Sequence, residues 1–304
     1  MTVYLDANAT TPVSPTVSEV VQHYFLEEYG NAGSRTHDYG LRAKHAVQKA
    51  RGQVADVAGA GPDEVIFSSG ATESNNIAIL GLRAWAERTG RKHIVTTAIE
   101  HKAVLEPCEV LEQHGFEVTY VRPDSSGAVS SAAIREASRS DTALVSVMHV
   151  NNETGIVQPV REIANALADH DAYLHVDAAQ GFGKEFDGLK STRIDLISVS
   201  GHKIFAPTGI GALIMRRRGY RRPPLQPLTY GGGQERGLRP GTLPVPLIVG
   251  LAQAVRDATQ EYEARREACM AIRQQALEAL TPLGILLHGS PELAIPHVLN
   301  FSVP

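Results

Sequence analysis

The sequence contains few cysteines and no long apolar run. Its two cysteines, Cys108 and Cys269, lie in segments that read as helices, so a disulfide framework is not expected and a reducing compartment is favoured. The most apolar stretch, residues 243–255, is shorter than the roughly 20 residues that a membrane helix requires. The N-terminus also lacks the basic flank and apolar run of a secretion signal. We therefore expect a soluble cytoplasmic protein that does not bind membranes.

An excess of positive charge is missing as well. Lysine and arginine total 29 against 33 acidic residues, which gives a formal net charge of −4. This charge is too small, and of the wrong sign, for a protein dedicated to nucleic acids, so no direct nucleic-acid partner is expected. An arginine cluster at residues 216–222 is interpreted as a solvated loop. With 43% apolar and 20% charged residues, the composition is that of an ordinary globular protein.

The sequence does contain a regular alternation of short apolar runs and longer segments of helical period. This pattern predicts a parallel sheet with crossover helices on both faces. The expected strands are residues 64–68, 93–97, 117–121, 143–148, 173–176, 196–200 and 211–215. The expected helices are residues 74–89, 104–114, 131–138 and 160–169, followed by one long helix from about 246 to 280. Before the long helix, a segment dense in arginine, proline and glycine predicts a loop.

Polar residues follow several of these strands, at the end where ligands bind in open α/β sheets. In SSGATESNN, a helix that begins near Thr72 would offer free backbone N–H groups to an anion, together with the hydroxyls of Ser69 and Thr72. In HVDAAQ, Asp177 could hold a protonated ring nitrogen, and Gln180 could reach a polar substituent of the same ring. The alternatives are simple helix capping by Thr72 and a capping box formed by Asp177 and Gln180.

Two more side chains at strand ends could carry chemistry. Lys203 follows the strand that ends at residue 200, and a partly desolvated lysine can form a Schiff base with a carbonyl. His101 follows the strand at residues 93–97 and could stack on a planar cofactor and move protons. The alternatives are an exposed, idle lysine and one of 12 histidines that serves the surface or packing. Together with the anion cradle and Asp177, these groups meet the requirements of pyridoxal 5'-phosphate.

A series of motifs carries a resemblance across essentially the whole chain. They are YLDANATTP, YGNAGS, SGATESNN, EHKAVLEP, MHVNNETG, HVDAAQ, SVSGHKI and GGGQERGLRPGT, in this order. In these motifs the sequence resembles the cysteine desulfurases of the class V aminotransferase superfamily, which are fold-type I pyridoxal-phosphate enzymes. The resemblance implies an α/β fold with a large domain, residues 14–250, built on a mainly parallel seven-stranded sheet covered by helices. A smaller α+β domain, residues 1–13 and 251–304, is expected to be incomplete at its C-terminus.

The resemblance also implies roles for residues around the cofactor ring. Lys203 would form the Schiff base with the cofactor, Asp177 would pair with the pyridine nitrogen, and Gln180 would contact the ring hydroxyl. His101 would stack on the ring and transfer protons, so Lys203 and His101 are the expected catalytic residues. Asn152 would lie beside the cofactor and the substrate carboxylate. No metal is implied.

The remaining roles concern the cofactor phosphate and the assembly. Thr72, the backbone of Ala71, and the side chains of Ser200 and His202 would hold the phosphate. In the homodimers of this family the glycine-rich loop reaches the neighbouring active site, so Thr242 would complete the phosphate site of the partner subunit. The resemblance thus implies a homodimer, L-cysteine as substrate and a sulfur-acceptor protein of unknown identity.

The family reaction converts L-cysteine to L-alanine and leaves the sulfur on an enzyme thiolate as a persulfide. In the family, the cysteine that supplies this thiolate lies beyond the strand that HVLNFSV resembles, whereas the printed sequence ends at Pro304. An arginine expected in the same region for the substrate carboxylate is likewise missing. Cys108 and Cys269 are read as buried or incidental thiols, so we expect this chain to bind the cofactor without completing sulfur transfer.

Two other functions remain open at this point. One is another class V lyase or aminotransferase, such as a selenocysteine lyase, and the other is a cofactor-binding but inactive protein. Among the desulfurases, the segments NAGSRTH, EHKAVLEP and QERGLRPGTLPVP look more like the type found in DNA phosphorothioation systems than like the iron–sulfur type. The sulfur acceptor itself is recognised by surfaces that these motifs do not define.

Overall fold

The computed structural model describes residues 2–304, and a central sheet dominates this part of the chain. Seven of its strands form this sheet, and two short strands pair separately near the C-terminal end. The strands are β1 (Val65–Ser68), β2 (His93–Thr97), β3 (Glu117–Val121), β4 (Thr142–Met148), β5 (Tyr173–Asp177), β6 (Leu196–Ser200), β7 (Gly211–Met215), β8 (Leu286–Leu287) and β9 (Phe301–Ser302).

The large sheet is withdrawn from water on both faces. Its strand order is β1-β7-β6-β5-β4-β2-β3, and β7 runs antiparallel to both of its neighbours while the other pairs are parallel. Every residue of β1, β2, β4, β6 and β7 is buried, which explains why these strands read as apolar runs without alternation. The seven-stranded, mainly parallel sheet is therefore confirmed, with strand bounds that differ from those expected by at most one residue.

Nine α-helices accompany the strands within residues 2–304. They are α1 (Pro15–Leu26), α2 (Asp38–Ala58), α3 (Ala71–Leu80), α4 (Arg83–Thr89), α5 (Lys102–Glu112), α6 (Ser131–Ala137), α7 (Val160–Ala166), α8 (Val245–Gln260) and α9 (Tyr262–Leu280). Two expected helices are each interrupted once. The helix expected at 74–89 is interrupted at Gly81, whose carbonyl accepts a hydrogen bond from the Gln226 N–H at 2.9 Å. The long helix expected at 246–280 is interrupted at Glu261.

The helices α1 and α2 were not expected from the sequence. Yet α2 buries Ala43, Val47, Ala50 and Val54, whose spacing of three and four residues is a helical signal. Both helices pack against α8. At Gly250 a Cβ atom would lie 2.6 Å from a methyl group of α1, so glycine is what lets α8 approach that closely.

The arginine cluster at 216–222 is not simply a solvated loop, and that interpretation was wrong for two of its members. The Arg216 guanidinium is buried and donates to the carbonyls of Leu189 at 2.7 Å and Ile194 at 3.2 Å. Arg218 forms an ion pair with the buried Asp195 at 2.6 Å. A guanidinium supplies several donors in a fixed plane, which suits it to satisfying backbone carbonyls that would otherwise be unpaired.

The C-terminal segment, defined here as residues 262–304, is built differently. Its helix α9 has no buried side chain, and its strands β8 and β9 have two residues each. The strand expected at 297–303 is reduced to β9, because the chain turns at Ile295 and Val298 so that both side chains pack on Val150. The division into domains at residues 14–250 stays a prediction. None of the helices within residues 2–304 is long and apolar enough to cross a membrane.

Candidate active site

A cavity of about 810 Å³ opens at the carboxyl ends of the central strands. The topology explains this position, because the ends of β4, β5 and β6 meet at one edge of the sheet. Of the residues expected around the cofactor, all but Thr242 line this cavity. They include the expected catalytic pair and are Ala71, Thr72, His101, Asn152, Asp177, Gln180, Ser200, His202 and Lys203. Thr242 is exposed and lies outside the cavity of its own chain.

Lys203 lies in a short 3-10 turn that directly follows β6. Its Nζ donates to the carbonyl oxygens of Asn8 at 2.5 Å and Ala9 at 2.8 Å. Burial lowers the pKa of the Lys203 ammonium, and the nearby carboxylates of Asp6 and Asp177 oppose this shift. Lys203 is therefore partly buried and hydrogen-bonded rather than exposed, while its catalytic role stays a prediction.

The N-terminal residues 5–9, which form the wall beside Lys203, were not expected to contribute to the site. Thr11 connects this segment to the 3-10 turn that contains Lys203, because its N–H and its hydroxyl both donate to the His202 carbonyl at 2.9 Å. The Thr11 hydroxyl also accepts from the Phe205 N–H at 2.8 Å. The motif YLDANATTP marked this segment in the sequence, but nothing in its spacing identified which neighbour it would contact.

Asp177 is the last residue of β5 and is only 5% exposed. Its two carboxylate oxygens accept from the Ala179 N–H at 2.9 Å and from the Asn75 amide at 2.7 Å. Burial raises the pKa of Asp177, and these hydrogen bonds together with Lys203 counteract the rise. The capping-box alternative was wrong, because no helix begins at this point and the bond to Ala179 closes a local turn instead.

Gln180 is held at both ends of its amide. Its Nε2 donates to the Asn8 carbonyl at 2.9 Å, and its Oε1 accepts from the Lys184 ammonium at 3.1 Å. Burial lowers the pKa of Lys184 to about 7, and the charge of Lys203 adds to that effect. Neither Lys184 nor Asn75 was singled out in the sequence, although Asn75 lies in the motif SGATESNN and Lys184 lies four residues after HVDAAQ.

The turn between β1 and α3 is the segment that the sequence predicts to be an anion site. Helix α3 begins at Ala71, and no side chain caps its N-terminus, so Thr72 is not a capping residue. The first N–H groups of such a helix lack partners inside the helix. Residues 69–73, which contain this helix start, line the cavity. Strand β7 can approach this turn only because residue 211 is glycine, since a Cβ atom on Gly211 would lie 2.6 Å from the Gly70 Cα.

His101 begins helix α5 as its N-cap, with its Nδ1 accepting from the Ala103 N–H at 3.0 Å. This bond fixes the tautomer, because Nδ1 must be unprotonated to accept, so the neutral ring carries its proton on Nε2, which can donate a hydrogen bond. Asn152 also lines the cavity, and its main-chain carbonyl accepts from the Asn8 side-chain amide.

The two cysteines lie away from this constellation. Cys108 is fully buried in α5, and burial raises the pKa of its thiol to about 12. Cys269 is half-buried on α9, and burial raises the pKa of its thiol as well. Neither of them lines the cavity within residues 2–304. A thiol with a raised pKa is a poor source of thiolate, which agrees with reading both as incidental.

Comparisons with known proteins agree with the geometry. The family described as aminotransferase class-V matches residues 3–304. The chain is 44% identical over 303 residues to cysteine desulfurase IscS of Photorhabdus laumondii, a match that covers 99% of this chain and 74% of that protein. The crystal structure of DndA from Streptomyces lividans superposes with a TM-score of 0.91 at 53% identity, over 99% of this chain and 84% of DndA.

A structure of SspA in complex with cysteine is also similar, with a TM-score of 0.88 at 39% identity, over 100% of this chain and 84% of SspA. The family match, the desulfurase relatives and the solved structures thus each extend over nearly the whole chain. The chain therefore belongs to the class-V aminotransferase family and, within that family, to the cysteine desulfurases.

Proposed function

We propose that this chain is a pyridoxal-phosphate-dependent cysteine desulfurase that converts L-cysteine to L-alanine. The observation that carries the proposal is the meeting of Lys203, Asp177 and the start of α3 in one cavity. The amine of Lys203 has a lowered pKa, which favours the neutral form that attaches to an aldehyde. The bound cysteine in the structure of the similar protein SspA supports L-cysteine as the substrate.

The residues present fit the cofactor group by group. The start of α3 suits a phosphate, because free N–H groups and the helix dipole favour an anion there. The buried Asp177 carboxylate suits a protonated ring nitrogen, and the firmly held Gln180 amide suits the ring hydroxyl. When bound, the cofactor supplies an electron sink for the carbanion chemistry at the substrate Cα. The proposed phosphate ligands are the backbone of Ala71 with Thr72, Ser200 and His202.

The protein side chains then handle the protons. Lys203 would supply the amine to which the cofactor aldehyde attaches, and its Nζ would take the proton from the substrate Cα. His101 would stack on the ring, and proton transfer at its Nε2 would require the hydrogen bond from the Ala103 N–H to Nδ1 to open, so that Nδ1 can carry a proton. Asn152, which also lines the cavity, would contact the substrate carboxylate.

Sulfur transfer needs a thiolate, in the overall reaction of L-cysteine with a thiol to give L-alanine and a persulfide. Cys108 and Cys269 do not fit this role, because burial raises the pKa of both thiols. The thiolate that attacks the substrate sulfur is therefore proposed to come from outside residues 2–304, and a separate acceptor protein takes the sulfur onward in the cytoplasm. The 53% identity to DndA, against 44% to IscS, favours the phosphorothioation type.

A homodimer completes the proposed site. The loop at residues 231–242 is fixed to its own chain by the ion pair of Glu235 with Arg51 and by that of Arg239 with Glu73 at 3.1 Å. Thr242 follows this anchored stretch, is exposed, and does not line the cavity of its own chain. This placement supports the proposal that Thr242 binds the cofactor phosphate of the partner subunit.

The visible absorption of the protein loaded with pyridoxal phosphate tests the proposal. We expect a band from cofactor attached to Lys203, a shift of this band on addition of L-cysteine, and alanine release when dithiothreitol supplies the thiol. Lys203→Ala should lose the band and the alanine, whereas Lys190→Ala, which changes an exposed lysine outside the cavity, should retain both. A shifted band without alanine would support an inactive binding protein instead, and undiminished alanine formation by Lys203→Ala would contradict the assignment of the lysine.

A further inference from the structure

Glu100 is a buried carboxyl group directly before His101 that the proposed reaction does not use. Its side chain is 6% exposed and lies between the ends of β2 and β4. One oxygen, Oε1, accepts from the Thr97 hydroxyl at 2.6 Å and from the Met148 N–H at 2.8 Å. The other oxygen, Oε2, is buried without a hydrogen-bond partner in the described part of the chain. Both donors are thus concentrated on a single oxygen.

No cation offsets a charge at this position. Within residues 2–304, no lysine, arginine or histidine forms an ion pair with Glu100. The titratable groups that face it are Asp177 from β5, whose charge would repel a carboxylate, and Cys108 from α5, whose thiol is neutral because burial raises its pKa to about 12. Burial raises the pKa of Glu100 to about 8, and the charge of Asp177 contributes to the rise.

Asp177 has the opposite surroundings although it lies close by. It receives one donor on each oxygen, and the charge of Lys203 favours its ionised form. When two neighbouring carboxyls differ in this way, their environments separate the protonation states, so that one ionises while the other keeps its proton. A carboxylic acid has one carbonyl oxygen, which matches the two donors on Oε1, and one O–H, which would lie on Oε2. Oε2 has no partner in the described part of the chain, and an unpaired neutral O–H costs less there than an unpaired charge.

We infer that Glu100 is a positioning residue that acts as a neutral carboxylic acid. Its carbonyl oxygen ties the ends of β2 and β4 to the loop that presents His101, and its lack of charge leaves Asp177 as the ionised partner for the cofactor ring. The inference rests on the proposed function for the roles of His101 and Asp177. The protonation of Glu100, however, is a property of the protein alone and can be measured without the reaction.

Infrared spectroscopy of the protein without cofactor tests the protonation. A protonated carboxylic acid has a carbonyl stretch distinct from that of a carboxylate, so the wild type should show this band at neutral pH and lose it around pH 8. Glu100→Gln should lack the band, whereas Asp177→Asn and Glu109→Gln, the latter an exposed glutamate on α5, should keep it. Absence of the band from the wild type at neutral pH, or its persistence in Glu100→Gln, would overturn the inference.

Cofactor binding tests the positioning role. Glu100→Gln keeps an acceptor for Thr97 and Met148 without introducing charge, so its affinity for pyridoxal phosphate and its band position should match those of the wild type at neutral pH. Glu100→Ala leaves both donors unpaired and should weaken cofactor binding by roughly tenfold. Above pH 8 the wild type should lose affinity while Glu100→Gln does not. Equal losses in the two variants at neutral pH would mean that the ionised form is required, which contradicts a neutral Glu100.

Discussion

The seven-stranded sheet and the C-terminal segment, residues 262–304, differ in how far their side chains are withdrawn from water. In β1, β4, β6 and β7 every residue is buried, whereas α9 extends over 19 residues without one buried side chain. Ile197 in β6 is 0% exposed, and Ile272 in α9 is 65% exposed. The same side chain therefore contributes to stability in one region and little in the other.

This difference bears directly on function. The groups proposed to bind the cofactor ring lie at the carboxyl edge of the sheet, where buried strands hold them rigidly. Among the described residues, the C-terminal segment contributes to the same cavity only through residues 297–299, of which Val298 is buried and His297 is exposed. Precise positioning of reactive groups depends on packing around them, so the sheet side of the cavity sets its chemistry.

The largest expected effect comes from breaking the buried ion pair that joins the glycine-rich loop to the sheet. Glu235 accepts from Arg51 at 2.8 Å and from the Phe67 N–H at 2.7 Å, and its side chain is 0% exposed. Glu235→Ala would leave the guanidinium and this N–H uncompensated, so we expect the free energy of unfolding to fall by about 3–5 kcal/mol in urea titrations. A loss below about 1 kcal/mol, the value typical of exposed pairs, would show that the loop is not anchored here.

A slightly smaller effect is expected inside the sheet. Ile197→Ala removes apolar atoms from a fully buried position and leaves a cavity between the sheet and the elements that pack on this face of it. We expect a loss of about 2–5 kcal/mol in the free energy of unfolding. The cofactor band should persist in the folded fraction, because Ile197 does not line the cavity. Retention of full stability would mean that the sheet repacks, and the contrast between the regions would weaken.

Burial also decides what the sequence could and could not predict. The strand bounds followed from apolar runs, and Lys203 and Asp177 were identified because each follows such a run within a motif. Asn75 was missed because its partner Asp177 lies 102 positions away and only the folded chain joins them. Glu100 was missed for the same reason, since its donor Met148 belongs to another strand. Motifs locate side chains along the chain, whereas their hydrogen-bond partners are set by tertiary packing.

The next effect depends on pH. His175 in β5 is fully buried between the hydroxyls of Ser146 at 2.8 Å and Ser198 at 2.9 Å, and burial lowers its pKa to about 3 from 6.5. Between these values the unfolded chain binds a proton that the native state does not, so stability falls as the pH falls below 6.5. One such histidine changes the free energy of unfolding by at most about 1.4 kcal/mol per pH unit.

His175→Gln removes this titration, so we expect the free energy of unfolding to change less steeply with pH below 6.5 than in the wild type. Only the slopes are compared, because glutamine will also alter the bonds to the two serine hydroxyls and so the absolute stability. Ile197→Ala, which lowers stability without removing a titratable group, is the control and should leave the slope unchanged. Equal slopes for His175→Gln and wild type would indicate that His175 is already protonated in the native state.

The smallest effects are expected where the C-terminal segment begins. Glu261 pairs with Arg265 at 2.7 Å, but its side chain is 57% exposed, so water already solvates much of the charge. Glu261→Ala and Ile272→Ala should each change the free energy of unfolding by no more than about 0.5 kcal/mol. Urea titrations of these two variants beside Glu235→Ala and Ile197→Ala compare the same chemical deletions in both regions. If Ile272→Ala cost as much as Ile197→Ala, Ile272 would have to be covered in the protein in solution, and a contact that buries α9, such as a partner subunit, would follow.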